Sequence, residues 1–350
     1  MISQAIDLAI KQRQGEFQGV TIEHVALDGG SDETGEWSTE RERGNALAAA
    51  GGPSVVAYIG PYNSGAAKIS LPITNKAGLL HGSPTTTWPG LTGPGWEDGE
   101  PGIYYPTGEH NFVRLMPSDG QETVAAARWA TALGLKRAYV LDDGSAYSTG
   151  LARRFAATAP ANGLEVVEDG SYEPTQANVV ADSIARSHAD VLFYAPSSAP
   201  AAVALAIALQ KAGAEVVVIA SDTAISEQFA ETVGESARHW RFVHNYAPLP
   251  EGSDKAQTFT STFQQTYGAP PSLFAANAYD LTNLVLDAIK QAGGNDRAAI
   301  TRLVRSTKGY AGASGTITFD ENGDRLDWSM SGYKLVEGKF VMDRLLTSAP

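Results

Sequence analysis

The sequence contains no cysteine. Disulfides, thiolate nucleophiles and zinc centres built on cysteine are thereby excluded. Stability has to come from burial and hydrogen bonding, and a chain of 350 residues can bury most of the surface its unfolded form exposes. The absence of cysteine suits an exported bacterial protein without fixing a compartment. Long apolar runs are missing too: no stretch reaches the roughly 18 apolar residues of a membrane-crossing helix. Met1 to Lys11 has neither the basic start nor the apolar core of a secretory signal, which leaves a cytosolic protein or a mature or trimmed form. Positive charge is scarce, with 26 Lys and Arg against 39 Asp and Glu and a formal net charge of −13. Such a surface repels phosphates, so no nucleic-acid partner is expected, and solubility is the plain consequence.

Catalytic signatures are also missing. There is no G-x-S-x-G elbow, no Walker A loop and no dinucleotide fingerprint. The six histidines (His24, His81, His110, His188, His239 and His244) show no ligand spacing. No cofactor and no metal are expected. The pair Asp142-Asp143 reads as the end of a strand, since acid/base catalysis needs a cleft and shifted pKa values.

What is present is a steady alternation of short β-branched runs and amphipathic helical segments. Ile2 to Gln14 reads as a helix with Ile2, Ile6, Ala9 and Ile10 on one face. Val20 to Leu27 reads as a strand, and Thr39 with Glu42 as a capping box opening a helix through Ala50. Val55–Ile59 is a buried strand, Ser64–Ala77 a helix, and Leu79-Leu80 begin another strand. Pro84 to Thr107 is a Gly/Pro-rich segment too long for a simple connection. The alternation resumes with helices at 121–133, 148–162, 177–187 and 199–212 and strands at 137–142, 164–168, 190–194 and 215–220. Val191 to Tyr194 and Val216 to Ile219 are continuous apolar runs, which suit strands covered on both faces. Helices follow at about 254–267, 273–292 and 296–306. The segments 315–319, 328–336 and 340–345 alternate like antiparallel strands, with Glu337-Gly338 as a tight turn.

Repeated β-α units imply doubly wound parallel sheets, and the strands are too many for one sheet. Two lobes follow, with ligand expected in a cleft between them at the carboxyl ends of the strands. The expected division is 1–117 plus 248–312 for lobe 1 and 118–247 plus 313–350 for lobe 2. Pro117 to Gly120, Ala247 to Pro250 and Gly312 to Gly315 are the expected crossings.

Five segments carry a resemblance. They are Ala57 to Gly65 (AYIGPYNSG), Gly82 to Thr92 (GSPTTTWPGLT), Asp142 to Gly150 (DDGSAYSTG), Ala275 to Asp280 (AANAYD), and Gly315 to Asp320 with Asn322-Gly323-Asp324. In this order, over nearly the whole chain, they resemble the leucine/isoleucine/valine-binding protein family, the amino-acid receptors of ABC importers. The resemblance implies a type I periplasmic binding protein: two α/β three-layer lobes joined by a three-segment hinge. It also exposes a departure. The family begins with a strand and loop ahead of the first helix, and that strand is missing here. Its absence would leave two neighbouring strands with unpaired edges, and poor stability is expected of this span alone.

The same resemblance marks the candidate site. Ser64, between a strand and a helix, would hold a ligand carboxylate with nearby amides, though plain N-capping explains it equally in kind. Thr85 and Thr87 match the loop that gives backbone and hydroxyl contacts, whereas Thr86 matches none. Tyr147 matches a tyrosine that covers the ligand, and Asp222 an acidic position that pairs with its ammonium. Tyr62 and Phe274 are candidates for the side-chain wall or the core. Ser197 and Ser198 stand where some relatives carry aromatics. The Trp88 and Trp96 region reads as a lid or an ordered surface loop.

The expected function is a non-enzymatic receptor that closes its lobes over a small ligand, most plausibly an amino acid, for an ABC permease. It would be extracytoplasmic, periplasmic or lipid-anchored, if an export signal was removed. One alternative is the ligand-sensing module of a larger, cytoplasmic regulator; a weaker one is an α/β enzyme.

Overall fold

Apolar residues at helical spacing turn Ala5, Ile6, Leu8 and Ala9 inward along the first helix, α1 (Ile2–Arg13). This is a computed structural model. It describes all residues but 18, 31–36, 251 and 349–350, and not the side chains of 146 and 174. The chain divides into two units, residues 1–118 with 248–328 and residues 119–247 with 329–350.

In the first unit α1 is followed by α2 (Thr39–Gly51), β1 (Ala57–Ile59), α3 (Ser64–Lys76), β2 (Leu80–Ser83) and β3 (Phe112–Arg114). The three strands form a parallel sheet in the order β1-β2-β3. Three corrections to the sequence expectations arise here. The cap of α2 is Ser38, whose hydroxyl accepts from the Arg41 amide; that places Arg41, not a glutamate, at the third helical position. Glu42 turns inward and its Oε1 accepts from the Tyr58 hydroxyl at 2.9 Å. Val20 to Leu27 forms no strand, and Val20, Val25 and Leu27 stand 55, 69 and 43% exposed. A strand needs a ladder partner, and among the described residues β1 pairs with β2 alone. The short β3 was not anticipated because three residues are too few to show a period.

The second unit begins with α4 (Asp119–Ala132), β4 (Arg137–Asp142), α5 (Ala146–Thr158), β5 (Glu165–Ser171), α6 (Ala177–Arg186) and β6 (Val191–Tyr194). It continues with α7 (Ala199–Ala212), β7 (Val217–Ala220), α8 (Glu227–Val233) and β8 (Trp240–His244). The apolar runs at β6 and β7 are buried, as continuous hydrophobic strands are when helices cover both faces.

The chain then returns to the first unit as α9 (Asp254–Tyr267), α10 (Leu273–Ala292), α11 (Arg297–Arg305) and the hairpin strands β9 (Tyr310–Gly312) and β10 (Gly315–Ile317). Ile317 and Phe319 pack with Leu80, Leu281 and Leu284. Residues 313–328 therefore stay with this unit, and the third crossing falls after Trp328 instead of at Gly312 to Gly315.

Two last strands, β11 (Ser329–Val336) and β12 (Lys339–Thr347), complete the second unit. Its sheet runs β12-β11-β8-β7-β6-β4-β5, parallel from β5 to β8 and antiparallel beyond. Glu337 and Gly338 have φ of 50° and 71°, the pair of positive values that a tight hairpin of this hand requires. Residues 349–350, assigned by sequence to the second lobe, lie outside the described residues.

Candidate functional site

In the first unit three segments converge. Gly60 ends β1 at φ 145°, a conformation that side chains rarely adopt, and the chain turns through Pro61 and Tyr62 into α3. The loop after β2 is folded onto this turn. Ser83 Oγ accepts from the amides of Thr85 and Thr86 at 3.2 and 3.0 Å. Thr85 is buried, and its hydroxyl donates to the Tyr62 carbonyl at 2.8 Å. Asn277, fully buried on α10, donates from Nδ2 to the Pro84 carbonyl at 3.0 Å.

Ser64 is the first residue of α3, and Asn63, not Ser64, is its N-cap. Ser64 Oγ accepts from the amides of Thr87 and Trp88, both at 3.2 Å. Its hydroxyl proton remains free to donate, beside first-turn amides of α3 that have no acceptor within the helix. The structure thus brings Ser64, Thr85 and Thr87 together as a hydrogen-bonded loop pair at a helix N-terminus, a setting that favours an anionic group. Tyr62 is exposed and meets Phe274 edge-on at 5.7 Å between ring centroids, so neither is core.

Trp88 is fixed rather than loose. Its Nε1 donates to Glu100 Oε1 at 2.9 Å, Lys68 Nζ lies 4.1 Å from its ring, and Trp96 packs against it at 5.7 Å. Leu91, Tyr104 and Tyr105 are buried against Leu71 and Phe112. The Gly/Pro-rich segment is an ordered cover on the first unit.

In the second unit the candidate groups lie past the carboxyl ends of parallel strands, where open α/β sheets bind ligands. Asp222 opens the 3-10 turn after β7, and Thr223 Oγ1 donates to the Tyr147 hydroxyl at 3.3 Å. Burial pushes the Asp222 carboxyl up, while the neighbouring His244 pulls it down. Burial, then Glu122 and Asp222, hold the Tyr147 phenol well above its ordinary value. Asn245, after β8, donates from Nδ2 to Asp119 Oδ1 at 3.2 Å.

Asp142 and Asp143 act on loops. Asp142 Oδ1 accepts from the Gly144 amide and the Thr149 and Ser171 hydroxyls, at 2.8, 3.0 and 2.7 Å. Asp143 accepts from Ser145 and from the Ser197 amide. Ser198 caps α7. These residues shape the strand ends.

Sequence reasoning missed Ser83 and Asn277, the tethers of the first loop, and Glu122 in the first turn of α4. Glu122 is 1% exposed. Its signal was present: Glu122, Ala125, Ala126 and Trp129 recur at the spacing of a buried helix face. An acidic residue in a first helical turn ordinarily complements the helix dipole, so its position alone does not mark it.

Among the described residues, no group of three or more His, Cys, Asp or Glu could hold a metal ion. The first unit offers donors at a helix N-terminus, and the second holds buried carboxyls.

The periplasmic binding protein family matches residues 1–339. A Leu/Ile/Val-binding protein, BraC3 of Rhizobium johnstonii, is 26% identical over 83% of this chain and 76% of its own length. An ABC transporter substrate-binding protein from Desulfitobacterium hafniense, solved in complex with Leu, is 23% identical over 97% of this chain and 95% of its own, with a TM-score of 0.74. A solute-binding protein of R. palustris, solved with benzoate, is 19% identical over 99% of this chain and 91% of its own, with a TM-score of 0.63. The family match over almost the entire length, on two α/β units of this topology, makes the chain a member of the periplasmic binding protein family.

Proposed function

We propose that this protein is a non-enzymatic receptor for an amino acid, delivering it to an ABC importer from the extracytoplasmic side. One observation carries the reading. The first unit gathers donors at the N-terminus of α3, around Ser64 and Thr87, and the second buries the carboxyl of Asp222. A zwitterion needs one of each: donors for its carboxylate and a counterion for its ammonium. Ser64 and Thr87 would take the carboxylate end, with Thr85 bracing their loop through its bonds to Ser83 and Tyr62, Asp222 would take the ammonium, and Tyr147 would cover it. Tyr62 and Phe274 would form part of the side-chain wall. The Leu/Ile/Val-binding and Leu-bound relatives support the ligand class.

A thermal-shift screen against amino acids, amides and small carboxylates tests this. A ligand at 100 times its Kd adds about 2.7 kcal/mol of stability. A raised melting temperature confined to amino acids supports the reading. A response to carboxylates alone, as the benzoate-bound relative would suggest, contradicts it.

A further inference from the structure

The second unit holds more negative charge than one ammonium needs. Glu122 is 1% exposed, and neither of its carboxylate oxygens has a hydrogen-bond partner. The Asn245 side-chain amide pulls the Glu122 carboxyl down, and its Nδ2, which carries two hydrogens, also donates to Asp119 Oδ1 at 3.2 Å. Asn245 Oδ1 is itself buried and unpartnered. Asp222 and Asp119 both act on Glu122 as like charges, and among the described residues no Lys or Arg forms an ion pair with Glu122 or Asp222.

Acceptors buried without donors are expensive unless a donor arrives. Once the Glu122 carboxyl is ionised, its two oxygens and Asn245 Oδ1 are three buried acceptors without a partner, and a cationic N–H group is the partner that fits them. Asp222 already answers one ammonium in the function proposed above, on which this step rests. We infer that Glu122 is a second recognition carboxylate, and that the ligand carries a second positively charged nitrogen, as a basic amino acid does.

A corollary concerns protons. Burial first, and then Asp222 and Asp119, hold the Glu122 carboxyl well above its ordinary value. The groups acting on it are Asp119 on α4, Tyr147 on α5, Asp222 after β7 and Asn245 after β8, while His244 at the end of β8 acts on Asp222. Burial favours the protonated carboxyl in the ligand-free protein, and a second cation would favour the ionised form.

Calorimetric titration with L-ornithine and L-lysine against L-norvaline and L-norleucine, which lack only the terminal amino group, tests the inference. The basic member of each pair is expected to bind about tenfold tighter or better, a difference of about 1.4 kcal/mol. Repeating the titration in buffers of different ionisation enthalpy should show proton release with the basic ligands and none with the others. The isosteric variant Glu122→Gln should lose the preference and the proton release while still binding norleucine. Equal affinities within a pair, or a preference unchanged in Glu122→Gln, would overturn the inference and leave the amino-acid reading intact. Failure of all four to bind, while a carboxylate such as benzoate does, would overturn both.

Discussion

Ser64 Oγ accepts a hydrogen bond from the Thr87 amide at 3.2 Å, and from Trp88 next to it at the same distance. One hydroxyl therefore ties the start of α3 to the loop after β2. Its proton takes no part in either tether, and in the function proposed above it would serve the ligand carboxylate. Ser64→Ala should then have two separable effects. Loss of the two tethers should lower stability by about 1–3 kcal/mol, at roughly 0.5–1.5 kcal/mol per hydrogen bond. Loss of the donor should weaken amino-acid binding by about tenfold. Urea denaturation reads the first and titration the second. Weakened stability with unaltered affinity would leave Ser64 a purely structural residue.

Asp222→Asn removes the charge that would pair with the ligand ammonium and keeps the shape. Truncating one partner of a buried hydrogen-bonded charge pair costs about 2–5 kcal/mol of binding. Affinity for the best amino-acid ligand should fall by about thirtyfold or more. An unchanged Kd would remove Asp222 from the site.

The buried carboxyls also set a pH dependence. Glu122 and Asp222 are both raised when folded, so between the ordinary carboxylate range and their folded values the native state binds more protons than the unfolded chain. By linkage their contribution is present at low pH and is lost as pH rises through the folded values. The ligand-free protein should therefore gain stability at neutral pH from Glu122→Gln, and its melting temperature should decline less between acid and neutral pH. A lower melting temperature for the variant at pH 7 would mean that the charge is compensated.

Asp280 tests the first unit away from the ligand. It is buried on α10 and accepts from the amides of Ala313 and Ser314 at 2.8 and 2.7 Å. It also crowds Gly312 so closely that a β-carbon there would collide with it. Asp280→Ala leaves two buried donors unmet and should destabilise by about 2 kcal/mol or more. Chemical denaturation measures this; a change within about 0.5 kcal/mol would contradict the role.

These cases show how much was legible in the sequence. The helices and parallel strands of the second unit were readable because periodicity and apolar runs reflect burial of whole faces: α7 and β6 coincide with their patterns within a residue. Val20 to Leu27 misled because alternation reports a strand's side chains and not whether a neighbour supplies hydrogen bonds. β3 was invisible because three residues make no period. At the candidate site, Ser64 and Asp222 follow from position after a strand. Glu122 does not, because only the fold reveals that a carboxylate in a first helical turn faces inward without a partner.

The most direct test of the central claim is a titration of the purified protein with the preferred amino acid and with its two deletion analogues, the amine lacking the carboxylate and the acid lacking the ammonium. The account predicts saturable binding of the amino acid with both analogues weakened by about a hundredfold or more, since each leaves one half-site's charged partner unmet. Equal binding of the ammonium-free acid, with no effect of Asp222→Asn, would contradict it.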